Sequence, residues 1–119
     1  MSTKVLFVDD EPNVLAAYER NLRKRFVVDT AISGELGLNL ICERGPYAVV
    51  VADMQMPVMN GWQFALEFVG KFDHKSPIIV MTAAADAKER AESISAIGWI
   101  GKPFVLEELL RLIKKYERE

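Results

Sequence analysis

Short apolar runs alternate with longer amphipathic stretches along the whole chain. This rhythm constrains the fold more than any other feature. The runs are Val5–Val8, Phe26–Ala31, Ala48–Ala52, Ile78–Met81 and Trp99–Ile100. Most are rich in Val and Ile and nearly free of polar residues, the pattern of strands buried on both faces. Phe26–Ala31 contains Asp29 and Thr30, so it suits a sheet edge. The intervening stretches have helical spacing. Val14, Leu15, Tyr18 and Leu22 form one stripe behind Pro12, which a first helical turn accepts. Leu36, Leu38, Leu40 and Ile41 follow Ser33, an N-cap residue by type. Phe64, Ala65, Phe68 and Val69 form a third stripe, and Ala87–Ile97 a fourth, Ala-rich one. Leu106, Leu109, Leu110 and Ile113 form the fifth, ending in cations that complement a helix C-terminus. Strands that alternate with helices predict right-handed βαβ crossovers and a parallel sheet covered on both faces.

In a sheet of this kind, ligands bind outside the C-terminal ends of the strands. The residues at those ends are therefore the ones to examine. The first strand ends in Asp9-Asp10-Glu11, the third in Asp53, the fourth in Thr82 and the fifth in Lys102-Pro103. Taken singly, each has an ordinary structural role: an N-cap, a strand-end hydroxyl, a surface turn. Their convergence from four separate strands is what calls for a chemical explanation. Crowded carboxylates repel one another and need a cation among them to stay ionised. An all-oxygen donor set suits a hard ion such as Mg²⁺. Asp10 and Asp53 are the expected direct ligands, with Asp9 acting through water. Lys102 adds a second positive charge, and cations around a positioned acceptor are what phosphoryl transfer requires. Aspartate can serve as the covalent acceptor.

Composition narrows the field. Fifteen Lys and Arg against seventeen Asp and Glu give a net charge of −2, which lacks the footprint of a nucleic-acid-binding domain. No apolar run approaches the length that spans a bilayer, and the N-terminal run is too short for a signal peptide. The single cysteine, Cys42, cannot form an internal disulfide. A cytoplasmic setting is the expectation.

Four motifs carry a family resemblance: Val8-Asp9-Asp10-Glu11-Pro12, Asp53-Met54-Gln55-Met56-Pro57 with Asn60-Gly61, Thr82-Ala83-Ala84, and Lys102-Pro103-Phe104. In this order and spacing the chain resembles the receiver domain of two-component response regulators over essentially its whole length, residues 1–119. The resemblance implies a doubly wound, flavodoxin-like (βα)₅ fold with strand order 2-1-3-4-5. It implies that Asp53 takes a phosphoryl group from a sensor histidine kinase or a histidine phosphotransfer protein. Mg²⁺, or Mn²⁺ in its place, would lie on Asp9, Asp10, Asp53 and the Gln55 carbonyl. Thr82 and Lys102 would hold the phosphoryl oxygens, and a cis Lys102–Pro103 peptide would aim the lysine inward. Thr82 and Trp99 would form the switch, acting on the face made by the fourth helix, fifth strand and fifth helix. An output domain or target protein would bind there. Such a domain signals and catalyses only its own phosphorylation and dephosphorylation, with no direct contact to nucleic acid or membrane.

The main rival is a Mg²⁺-dependent phosphatase with an aspartyl-phosphate intermediate. It normally needs a second acid two residues past the nucleophile, where Gln55 stands. Trp99 replaces the Tyr or Phe usual at its position, and Asn60 a frequent Asp. Gln55 and Ala84 are expected to tune dephosphorylation. Arg20, Arg23, Lys24 and Arg25 read as the solvated end of the first helix, Cys42 as core, His74 as an idle loop residue and Trp62 as packing at a helix start.

Overall fold

The computed structural model describes residues 3–53, 77–83, 98–102 and 104–116. Its strands are β1 (Thr3–Val8), β2 (Phe26–Ala31), β3 (Val49–Asp53), β4 (Ile78–Ala83) and β5 (Gly98–Lys102). The helices are α1 (Pro12–Leu22), α2 (Gly34–Arg44) and a C-terminal helix, Leu106–Tyr116. All strand pairs are parallel, in the order β2-β1-β3-β4-β5. The third and fourth predicted helical stripes lie outside the described residues.

The sheet separates two apolar layers, because successive side chains of a strand point to opposite faces. Val5 and Phe7 of β1, Val49 and Val51 of β3, and Ile79 and Met81 of β4 pack with Leu15, Tyr18 and Leu22 of α1 and with Leu109 and Ile113 of the C-terminal helix. The alternate residues Leu6, Val8, Val50, Ala52, Ile78 and Val80 pack with Leu38 and Ile41 of α2. The sheet is thus wound on both sides. Burying one such aliphatic side chain contributes about 1.5–3 kcal/mol. The polar residues of Phe26–Ala31 are accounted for by its place at the sheet edge.

The helix starts follow local chemistry. Pro12 opens α1 behind Glu11, whose side chain makes no capping bond. The Glu11 backbone N–H instead donates to Asp9 Oδ1 at 3.0 Å. Ser33 caps α2, its Oγ accepting from the Leu36 N–H at 3.1 Å. The buried face of α2 is Gly34, Gly37, Leu38 and Ile41, an i, i+3, i+4, i+7 stripe. Leu36 sits about 150° and Cys42 about 90° from the centre of that stripe, given 3.6 residues per turn. Leu36 is therefore 46% exposed, and Cys42 is exposed rather than in the core as its apolar surroundings in sequence suggested. Arg20, Arg23, Lys24 and Arg25 are all exposed, as a solvated helix end should be.

Gly45 ends α2, its N–H donating to the Ile41 carbonyl at 2.9 Å. A Cβ at Gly45 would fall inside contact distance of that same backbone oxygen. Gly45→Ala should therefore lower stability by about 1–3 kcal/mol, the usual cost of overpacking, measured by urea unfolding. An unchanged midpoint would show that the helix end yields freely. Nearby, Asp29 on β2 accepts from Arg44 Nη1 at 2.8 Å and from the Tyr47 hydroxyl at 2.6 Å. Lys4 Nζ donates to the Arg44 carbonyl and lies 5.3 Å from the centre of the Tyr47 ring. This network ties the edge strand to the end of α2.

Charge is sorted along the helices. Acids occupy the first turns (Glu35; Glu107 and Glu108), and cations the last (Arg20; Arg44; Lys114 and Lys115). Each is the sign that the helix dipole favours at that end.

Candidate functional site

Strand order reverses between β1 and β3, and a crevice opens at such a switch point. The register pairs Val8 with Ala52, which brings Asp9 and Asp53 level at the C-terminal ends of those strands. Asp53 pairs in turn with Met81, Thr82 with Gly101 and Ala83 with Lys102. Asp9, Asp53, Thr82 and Lys102, expected together from sequence, therefore share one edge of the sheet. The Lys102–Pro103 peptide, Gln55, Asn60, Trp62, His74 and Ala84 lie outside the described residues.

Asp10 completes the cluster. Carboxylate oxygens of Asp9, Asp10 and Asp53 lie within 4.8 Å of one another. Asp9 is 0% exposed, Asp53 3% and Thr82 0%, while Asp10 is half-buried. Asp10 is thus the most accessible of the three acids. Thr82 Oγ1 has no hydrogen-bond partner among the described residues. Buried hydroxyls are nearly always paired, so an orphaned one implies that a polar group enters the pocket in another state. Three carboxylates in low-dielectric surroundings need positive charge. Their all-oxygen donor set fits a hard divalent cation better than Zn²⁺ or Cu²⁺.

Beneath the acids lies a residue that its sequence position marks only as part of an apolar helical stripe. Tyr18 of α1 is buried, stacks on Phe7 with ring centres 4.7 Å apart, and donates its hydroxyl to Met81 Sδ at 3.6 Å. Burial, then the charges of Asp9 and Asp53, push its phenol up to about 12. Burial and the hydrogen bond to Asp29 push Tyr47 up as well. Both phenols hold their proton more tightly folded than unfolded. Their contribution to stability is full below pH 10 and is lost for Tyr18 as pH rises through about 12. Stability should therefore fall across this window, with tyrosinate absorbance rising along with unfolding. Ordinary titration of both phenols near pH 10 in the folded chain would contradict it.

Trp99 of β5 turns its indole outward, 44% exposed. It borders a cleft of about 420 Å³ with Glu108, Arg111 and Lys115 of the C-terminal helix. Among the described residues, no helix is long and apolar enough to cross a membrane.

Comparison with known proteins agrees with this geometry. A sequence profile described as "Response regulator receiver domain" matches residues 5–114. The transcriptional regulatory protein PrrA of Mycobacterium leprae is 37% identical over 116 residues, covering 95% of this chain and 49% of PrrA. The chain thus spans about half the length of the curated relatives it matches. The chemotaxis protein CheY4 of Vibrio cholerae superposes with a TM-score of 0.85 at 28% identity, covering 98% of this chain and 99% of CheY4. The response regulator TrrA of Thermotoga maritima, solved in complex with Mg²⁺-BeF, gives 0.82 at 31% identity, covering 96% of this chain and 98% of TrrA. These likenesses favour a receiver over a phosphatase.

Proposed function

The chain belongs to the response regulator receiver domain family, and from that premise we propose that Asp53 is the phosphoacceptor of a two-component phosphorelay. Receiver domains of response regulators are signalling domains, and residues 1–119 form one such domain in this reading. The observation that carries it is the cluster of Asp9, Asp10 and Asp53 beside the buried Thr82 hydroxyl, which has no partner among the described residues.

An Asp53 carboxylate oxygen attacks the phosphorus of a phosphohistidine. The P–O bond forms as the P–N bond breaks, and the imidazole leaves with the electron pair. Water later takes the phosphoryl group from Asp53, releasing inorganic phosphate. Asp9, Asp10 and Asp53, with the Gln55 carbonyl, would hold Mg²⁺ or Mn²⁺, which supplies positive charge against the phosphoryl oxygens when bound. TrrA with Mg²⁺-BeF supports that choice of cation. Thr82 donates its hydroxyl to a phosphoryl oxygen, and the Lys102 ammonium neutralises another. The donor is a sensor histidine kinase or a histidine phosphotransfer protein, and the setting is the cytoplasm.

Output runs through the surface around β5 and the C-terminal helix to an output domain or target protein. Thr82 and Trp99 form the switch, since a phosphoryl group that draws Thr82 inward biases the packing beside it. Trp99 fluorescence, read in a Trp62→Phe background, should shift on phosphorylation as its half-exposed indole changes environment. A constant spectrum would remove Trp99 from the switch.

The reading as a whole is tested by incubating the chain with acetyl phosphate. Intact mass should gain one phosphoryl group with Mg²⁺ and none with a chelator present. Gain in neither condition, or equally in both, counts against it.

A further inference from the structure

We infer that Tyr18 is a positioning residue for phosphoryl transfer, acting through Met81 on the strand end that carries Thr82. The inference rests on Asp53 being the phosphoacceptor.

Met81 occupies a singular place. It is the cross-strand partner of Asp53 in the β3–β4 register, and it precedes Thr82 in the chain. A hand on Met81 is therefore a hand on both the acceptor strand and the hydroxyl that meets the phosphoryl group. Methionine has three side-chain torsions and a polarisable sulfur, so it fixes its surroundings poorly on its own. Here the Tyr18 hydroxyl donates to that sulfur at 3.6 Å in a buried setting. The ring is held by its stack on Phe7, which lies two residues before Asp9 on β1. Phe7, Tyr18 and Met81 thus form a brace beneath the pocket, running from the Asp9 strand to the Thr82 strand.

The brace also reaches the surface. Tyr18 lines a cleft of about 440 Å³ beside α1 with Val14, Ala17, Phe104 and Leu106. Phenylalanine would pack equally well there against Phe7. The hydroxyl is therefore the informative group: it adds a polar atom to an apolar layer, and among the described residues it meets the Met81 sulfur.

A positioned donor to a developing phosphoryl charge is effective because it needs no rearrangement during the reaction. Loosening Met81 should cost Thr82 some of that preorganisation. Tyr18→Phe should slow Mg²⁺-dependent phosphorylation by acetyl phosphate by about three- to tenfold, less than the loss of a direct donor. Met81→Leu removes the same bond from the other side and should slow it comparably. The double variant should be no slower than either single variant, because both delete one interaction. Tyr47→Phe, a buried phenol at the opposite end of the sheet, should leave the rate unchanged.

A purely structural Tyr18 would give a different pattern: a lower unfolding temperature with an unaltered rate. That result, or additive slowing in the double variant, overturns the inference. Backbone amide shifts at Asp53 and Thr82 in Tyr18→Phe, recorded without any phosphodonor, should move relative to wild type, and unmoved shifts also overturn it. This second measurement separates the two readings. A wild-type chain that takes no phosphoryl group defeats the proposed function, whereas unmoved amides defeat the brace.

Discussion

Asp53→Ala should abolish phosphorylation of the chain altogether. After acetyl phosphate and Mg²⁺, wild-type protein gains one phosphoryl group and the variant none. The effect is large because, in the proposed reaction, an Asp53 oxygen forms the new bond and alanine has none to offer. Asp9 is fully buried, and its Oδ1 already accepts from the Glu11 backbone N–H at 3.0 Å. Asp10 is the most accessible of the three acids and lies past the end of β1. Losing one of three clustered carboxylates also lowers the negative charge that draws a divalent cation. Mg²⁺ at a hundred times its dissociation constant should stabilise the wild-type fold by about 2.7 kcal/mol, and the variant by less. Persistent mass gain in Asp53→Ala would place the acceptor elsewhere.

The second large effect is on the fold. Leu109→Ala should lower stability by about 2–5 kcal/mol, the range for deleting a buried leucine. Leu109 and Ile113 are the fully buried anchors of the C-terminal helix against the sheet. They pack in the layer that also holds Tyr18 and Met81, so few neighbours are free to close the gap. Against a typical total of about 5–15 kcal/mol the loss is severe. The midpoint of thermal unfolding should fall by roughly 10 °C for a domain of this size. A shift below about 2 °C would mean that the helix contributes little to the cooperative unit.

Much of this was readable in the sequence, and the reasons differ from element to element. The strands stand out because residues such as Val49–Val51 are buried on both faces, which leaves an apolar run without alternation. Asp29 and Thr30 betrayed the edge. Asp9, Asp53, Thr82 and Lys102 were legible as a group because a parallel sheet puts all strand C-termini at one side, so order along the chain becomes proximity in space. The faces of α2 were less legible. A leucine-rich stretch containing Gly34 and Gly37 offers two candidate stripes, and the buried one is the one that includes the glycines and leaves Leu36 and Cys42 outside. The brace of Phe7, Tyr18 and Met81 left no trace. A tyrosine on an apolar stripe reads as core, and only the fold reveals which sulfur its hydroxyl meets. The Asp29–Arg44–Tyr47 network is hidden for the same reason, being assembled from an edge strand, a helix end and the segment after it.

The sorting of charge along the helices has a consequence at long range. Among the described residues, the acids at the first helical turns lie toward the edge that holds Asp9, Asp10 and Asp53, and the cations at the last turns lie toward the other. A chain with a net charge of only −2 is in this respect a bar magnet made of charge. It meets an approaching cation or partner with a preferred end forward, before any surface touches. That orienting reach shrinks to about 8 Å at physiological ionic strength and to about 3 Å in molar salt. Encounter rates at the acidic end should accordingly depend on salt far more steeply than the small net charge suggests.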